Sequence, residues 1–542
     1  MRTLTATGAL TRLALRRDRV KLPIWVLGLT ALFASIADSI SSLYDTPAAR
    51  LENAQIRAEN VVTRAFTGPA PGESSGALTV SEGLVFTCVL VALMNILLVV
   101  RHTRQNEELG RAELIGSAAV GRHAALSAAL IVATLANLLL TVLTAVSLIG
   151  MGMPAGGSVL TAVALGGSGL AFAGITAVTA QLTESARGAT GLGGLVLGAS
   201  FLLRAAGDAF GDTDPSGTSV TPAWPSWLSP IGWAQQLRPF GESEVWPVAL
   251  LFVFFALTIW LAVGLSVHRD VGTGMMPPRR GAVRAQRSML SPFGLVWRLQ
   301  RGVLLGWVAA VAVFGAVFGG IGDQVEDLFS SEKSAEFVRD LGGDGSLVDA
   351  YFAGMMGLLG VIVAGYTVQA LVRLRSDETS GPLEAVLATA VSRPRWLAAY
   401  AVNAVLGTVI VLTALGLSTG VAYGAVSGDM GTAVSDLLQT TLAQLAPTLV
   451  VTGWALAAFG LLPRPAAALS WAAFAVCLVI GQFGALLDLP DALVDVSPYS
   501  HLPNLPAESL TAGPVIALVA VAAVLAAAGM TGFRRRSLTL NS

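Results

Sequence analysis

An all-α polytopic membrane protein built from two tandem halves is the fold class this sequence predicts, and three observations predict it. The first is composition: 54% of the 542 residues are hydrophobic and 12% are charged, with a mean hydropathy of +0.70, which excludes a string of soluble domains. The second is twelve apolar runs, six in each half of the chain, each of about 20 residues and so able to cross a hydrocarbon core of roughly 30 Å. The third is a polar segment that occurs twice, 271 residues apart: Arg104 to Arg122 reads RQNEELGRAELIGSAAVGR, and Arg375 to Arg393 reads RSDETSGPLEAVLATAVSR.

Charge placement sets the orientation. With the N-terminus inside and twelve spans following, most basic residues fall on the cytoplasmic side and most acids outside, whereas the opposite orientation inverts the sorting. Both termini are therefore expected to be cytoplasmic. Residues 1 to 21 place Leu10, Leu13 and Ala14 on one helical face among Arg12, Arg16, Arg17 and Arg19, the pattern of an interfacial helix. The first span is predicted at 22 to 42, and an outer loop with a helical stretch from Ala48 to Phe66 follows. Span 2 at 83 to 101 leads into the first polar segment; spans 3, 4 and 5 follow at 123 to 148, 159 to 182 and 188 to 206. A long outer loop carries TPAWPSWLSPIGWAQQLRPF from Thr221 to Phe240, its tryptophans typical of a headgroup-level belt. Span 6 at 245 to 267 closes the first half.

Residues 268 to 302 form a basic linker and second interfacial helix, with seven arginines and one acid, Asp270. Beside membrane spans, such a run reflects the inner-leaflet charge rule, not nucleic-acid binding. Spans at 303 to 321, 351 to 372, 396 to 420, 434 to 460, 466 to 487 and 512 to 533 complete the second half. The expected domains are thus 1–267, 268–302 and 303–542.

Further correspondences support duplication. Arg16 and Trp25 match Arg298 and Trp307; Phe66 matches Phe337; Ser229-Pro230 matches Ser497-Pro498; and the halves end on Arg269 and on Arg534 to Arg536. An even number of spans per repeat gives the two repeats one orientation, with a central cavity between them as the expected consequence.

Several residues are candidates for function. A polar, helical loop present twice suggests a docking element for a two-fold partner, and its candidates are Glu107, Glu108, Glu113, Arg122, Glu378, Glu384 and Arg393. The competing reading is two solvated loops of a duplicated gene. Gly110 and Gly381 predict a bend or helix start within each copy. Phe86, Met94, Asn95, Met355, Met356, Tyr366 and Gln369 on the second span of each half suit the wall of a cavity for an apolar solute, and helix packing explains them equally. Pro230 and Pro498 predict breaks in re-entrant elements that would form an outer gate. Asp38 and Arg204, near outer span ends, are expected to snorkel.

Other functions find little support. Neither lysine, Lys21 nor Lys333, lies in the Gly-x4-Gly-Lys-Ser/Thr context of a P-loop. Any ATP energy must then come from a partner. Cys88 and Cys477 lie in apolar runs as packing residues, and no metal site is expected.

The segment DETSGPLEAVLATAVSR resembles the coupling helix between the second and third spans of ABC-2-type (type V fold) permeases, where the pattern is close to E-x-x-G-T-x-E-x-L-x-x-x-P-V-S-R. A fused twelve-span chain is similar to actinobacterial permeases described as exporters of polyketide antibiotics, including the tetronasin type. The resemblance implies a bacterial plasma-membrane permease with no catalytic residues and no cofactor of its own. It also implies two copies of a separate P-loop ATPase subunit that bind ATP and Mg, and a hydrophobic small-molecule cargo besides membrane lipids. The sequence departs from the pattern at Arg111 and Pro382 for threonine, at Ala119 and Ala390 for proline, and at Gly121 where the second copy keeps Ser392. The alternatives are a secondary drug transporter, an exporter of lipid or cell-wall precursors, and a scaffold that moves nothing.

Overall fold

The computed structural model describes residues 3–214, 217–270, 272–276, 284–325, 346–379, 382–483, 490–503, 505–506 and 511–538. The protein is an all-α membrane protein: among the described residues, eleven helices are long and apolar enough to cross a membrane. The eleventh predicted segment, 466 to 487, holds a shorter apolar helix, Ala466–Phe483. The chain divides into two units, Met1–Gly281 and Ala282–Ser542, with the boundary inside the expected basic linker.

In the first unit the helices are α1 (Thr7–Arg17), α2 (Lys21–Leu43), α3 (Pro47–Glu59), α4 (Val61–Phe66), α5 (Ser75–His102), α6 (Arg104–Glu108) and α7 (Arg111–Gly116). They are followed by α8 (Ala124–Gly150), α9 (Ala155–Leu182), α10 (Ala186–Ala209), α11 (Pro230–Gln235) and α12 (Pro247–Val267). The loop between α10 and α11 also contains a two-residue antiparallel ladder, Asp212–Thr213 with Val220–Thr221.

Helix α9 is the hub of this unit, packed by α5, α8 and α12. Its sequence explains why: lipid tails are as apolar as leucine, so helices associate in a bilayer through close packing of small residues and through hydrogen bonds. A methyl group at Gly169 would come within 2.0 Å of Asn137 Oδ1, and one at Gly174 within 2.0 Å of Thr258 Oγ1. Helix α1 stops at Asp18, whose buried carboxylate bonds His102 and pairs with Arg101 Nη1 at 3.2 Å. The interfacial helix is thereby fastened to the end of α5.

The second unit comprises α13 (Pro292–Gly320), α14 (Leu347–Thr379), α15 (Pro382–Leu387), α16 (Arg393–Ser427), α17 (Met430–Ala443), α18 (Leu445–Leu461), α19 (Ala466–Phe483), α20 (Asp491–Val494) and α21 (Ala512–Arg535). Its densest crossings are α13 on α16 and α18 on α21. At the latter, a Cβ on Gly529 would lie 2.3 Å from the Leu456 carbonyl oxygen, so the two backbones meet where glycine stands.

Two expectations change here. The second interfacial helix is not a separate element, because Ser291 caps a helix that begins with Pro292 and runs unbroken for 29 residues through the predicted span. Predicted span 10 is broken instead into α17 and α18 at Gln444. The expected counterpart of the Ala48–Phe66 segment, including Phe337, lies outside the described residues.

Candidate functional site

The polar segment is not uniformly presented to solvent. Gly110, with φ +70°, provides the left-handed turn that separates α6 from α7. Gly381 lies outside the described residues. Glu107 on α6 accepts two hydrogen bonds from the Arg269 guanidinium, at 2.7 and 2.9 Å, and pairs with Arg104 at 2.8 Å. Arg104 is fully buried and also donates to the Ala180 carbonyl at 2.6 and 3.1 Å. Arg122, at the far end of the segment, donates to the carbonyls of Val267 and Arg269 at 2.8 and 3.2 Å. One end of α12 is therefore held twice, by the carboxylate on its arginine side chain and by an arginine on its backbone.

The second unit builds the same clasp. Glu378 accepts from both Arg536 terminal nitrogens at 2.5 and 2.9 Å and pairs with Arg375 at 3.2 Å. Arg393 donates to the Arg536 carbonyl at 2.6 Å. Arg536 also lies over the rings of Phe459 and Phe533, 4.9 and 5.1 Å from their centroids. Arg269 and Arg536 are separated by 267 residues, not 271, so comparison at a constant offset hides their equivalence. The basic end of each half was the available signal.

The remaining candidates sort by exposure. Glu108 accepts from the Ala186 amide at 2.9 Å and so braces the start of α10. Glu113 on α7 and Glu384 on α15 are exposed and make no ion pair among the described residues. These two short helices, anchored at their flanks by the clasps, present the matched carboxylates outward.

Gly121 explains the departure from serine. Its amide donates to the Thr5 carbonyl at 3.0 Å and that of His123 to the Thr3 carbonyl at 3.1 Å. An added Cβ would lie 2.3 Å from the Thr3 oxygen, so the N-terminal segment can cross here only on glycine.

Most of the residues offered as cavity wall are packed. Asn95 and Asn137 exchange amide hydrogen bonds at 3.1 and 2.8 Å, both buried. Thr367 and Thr408 meet at 2.6 Å at the corresponding level of the second unit. Tyr366 is buried against Gly407, and Met94 and Met356 are core residues. Phe86 packs edge-on to Phe66 at 4.9 Å. Met355 is half-buried, and Gln369 is exposed and accepts from Trp307 Nε1 at 2.8 Å.

The two Ser-Pro pairs stand where short helical elements are interrupted. Extended Ser229 separates the 3-10 turn Trp224–Leu228 from α11, and extended Ser497 stands between α20 and the 3-10 turn Pro498–His501, so that each proline takes the first position of the following short helix behind a capping serine. The expectation for Arg204 is corrected. It is fully buried, pairs with Asp208 at 3.0 Å and donates to the Ala65 and Phe66 carbonyls at 2.7 and 3.0 Å. Gln235 of α11 joins Asp208 at 2.9 Å. This network ties α4, α10 and α11 together, and a snorkelling arginine would not. Among the described residues no group of three or more His, Cys, Asp or Glu is placed to hold a metal ion.

Comparison with known proteins supplies the family. The profile described as "Multidrug efflux system permease Rv1217c, C-terminal domain" matches residues 9–269 and 289–534, one stretch in each half. The chain is also similar to the multidrug efflux system permease protein Rv1217c of Mycobacterium tuberculosis (strain ATCC 25618 / H37Rv), with 36% identity over 540 residues, covering 98% of this chain and 95% of that protein. The chain belongs to the family of the multidrug efflux system permease Rv1217c.

Proposed function

We propose that this protein is the membrane-spanning permease of an ATP-driven exporter of hydrophobic compounds, of the ABC-2 type, with ATP and Mg bound by two copies of a separate P-loop ATPase. The observation that carries the proposal is the pair of short helices, α7 and α15, that expose Glu113 and Glu384 while the flanks of each polar segment are clasped to the last long helix of its own unit. A partner that moves such a helix pulls directly on α12 or α21. The relative's name supports drug efflux, and the coupling-helix resemblance supports ATP as the energy source. Polyketide-type antibiotics fit the apolar cargo, and the twelve-span topology with both termini cytoplasmic fits the charge sorting. The chain itself performs no catalysis on this reading.

The test is co-purification of the full chain with the P-loop ATPase encoded beside it, followed by ATP hydrolysis in lipid nanodiscs with and without apolar drugs. Drug-stimulated hydrolysis and outward drug flux by the complex are expected. Drug movement by the permease alone, driven by a proton gradient, would overturn the proposal in favour of a secondary transporter.

A further inference from the structure

A cavity of about 680 Å³ opens in the first unit between α1, α7, the start of α8 and the end of α12, a volume in the range of small-ligand sites, roughly 300 to 1,000 Å³. Its wall is of two kinds. Leu10, Leu13 and Ala14 from α1 and Leu126 and Ala129 from α8 make one side apolar. The other side carries Arg17, Arg111, Arg122 and Arg269 against two carboxylates, Glu107 and Asp270, and Glu107 is already shared between Arg104 and Arg269.

The positive charge is therefore not neutralised from within. Arg111 is exposed and makes no hydrogen bond or ion pair among the described residues. The Arg17 guanidinium is held below its usual range by burial, and then by the nearby Arg101 and Arg111. An anion between Arg17 and Arg111 would relieve that repulsion. The apolar wall requires that the anion carry a hydrocarbon part, and basic pockets at the cytoplasmic ends of membrane helices suit lipid headgroups.

We propose that this cavity binds the phosphate headgroup of an anionic phospholipid, with the phosphodiester between Arg17, Arg111 and Arg122 and the first chain carbons against α1 and α8. The site is one-sided. At the positions matching Arg17 and Arg111 the second half has Leu299 and Pro382, so one lipid per chain is expected. The inference is independent of the ATPase reading, because it needs only the permease and a lipid.

The experiment titrates the detergent-solubilised full chain with short-chain phosphatidylglycerol, the matching phosphatidylcholine and inorganic phosphate, counting bound molecules by native mass spectrometry. One phosphatidylglycerol should bind per chain, in preference to both controls. Arg111→Gln should weaken it about five-fold, and Arg17→Gln with Arg111→Gln about twenty-five-fold. Because Arg17 also donates to Asn106, Arg111→Glu serves as the variant on a freely exposed side chain and should abolish selectivity with an unchanged thermal midpoint in phosphatidylcholine. Equal binding of both lipids would reduce the cavity to an apolar groove, and equal binding of inorganic phosphate would make it an anion site only. Unaltered lipid binding in both Arg111 variants, with lost capture of a protein partner, would assign the arginine to a protein interface. Each of these three results overturns the proposal.

Discussion

Glu378 and Glu107 occupy matching places in sequence but differ in how completely they are sealed. Glu378 is fully buried between Arg375 and Arg536, whereas the side chain of Glu107 keeps 14% of its exposure. Removing one partner of a buried pair leaves the other charge uncompensated, at a cost of about 3–5 kcal/mol. Glu378→Ala should therefore lower the thermal midpoint of the purified protein clearly more than Glu107→Ala, for which about 1–3 kcal/mol is expected. Equal losses would show that the second clasp is no drier than the first. A second residue prediction follows from Gly121. Gly121→Ser should displace the Thr3–Thr5 crossing, seen as faster labelling of a cysteine placed at Thr5, because the new Cβ would sit 2.3 Å from the Thr3 oxygen. At this scale the sequence revealed which residues recur and not what they touch. The arginine that closes each clasp comes from the end of a helix over 140 residues further on, and burial of Arg204 depends on carbonyls of α4 that no local pattern announces.

Helix existence was legible almost throughout, since long apolar runs have few alternatives in a bilayer. Boundaries were less so. The membrane-length criterion stops at the polar residues, while the helices continue: α14 runs on to Thr379 and α16 to Ser427. The Ser-Pro pairs were visible as a repeat, yet proline chemistry alone is ambiguous between interrupting a helix and beginning one. The end of the first unit that carries α11 can discriminate the two roles. With Pro230 at the first helical position, Pro230→Ala removes little, about 0.5–1 kcal/mol of unfolded-state restriction, and should leave drug efflux nearly intact. Gly232→Ala places a methyl group 2.1 Å from the Ser226 carbonyl oxygen and should unseat α11 from the Arg204–Asp208–Gln235 network. Loss of efflux in Gly232→Ala with normal membrane insertion is the expected readout; the reverse ranking would return Pro230 to the role of a helix breaker.

For the molecule as a whole, the recurring polar segment was the most legible property, because two copies survive at a constant offset and the clasp is built in each unit from three arginines and one glutamate. What the repeat concealed is its asymmetry. Gly121 accommodates an N-terminal crossing in the first unit, where the second has Ser392, and the interfacial helix separates from its span only in the first. If Glu113 and Glu384 nevertheless seat the same partner, the two seats should respond to charge reversal separately and then together. Reversing a partly shielded interfacial charge costs about 2–5 kcal/mol, since repulsion and an unpaired group add to the lost attraction. Each single Glu→Arg variant should keep one ATPase subunit per permease on purification, with hydrolysis strongly reduced because closure needs both. The double variant, whose exposed side chains make no ion pair among the described residues, should insert and melt like the parent while retaining less than about a tenth of the bound ATPase. Full complex and full drug-stimulated hydrolysis in the double variant would leave α7 and α15 as solvated loops, and the clasps as structural features of each half alone.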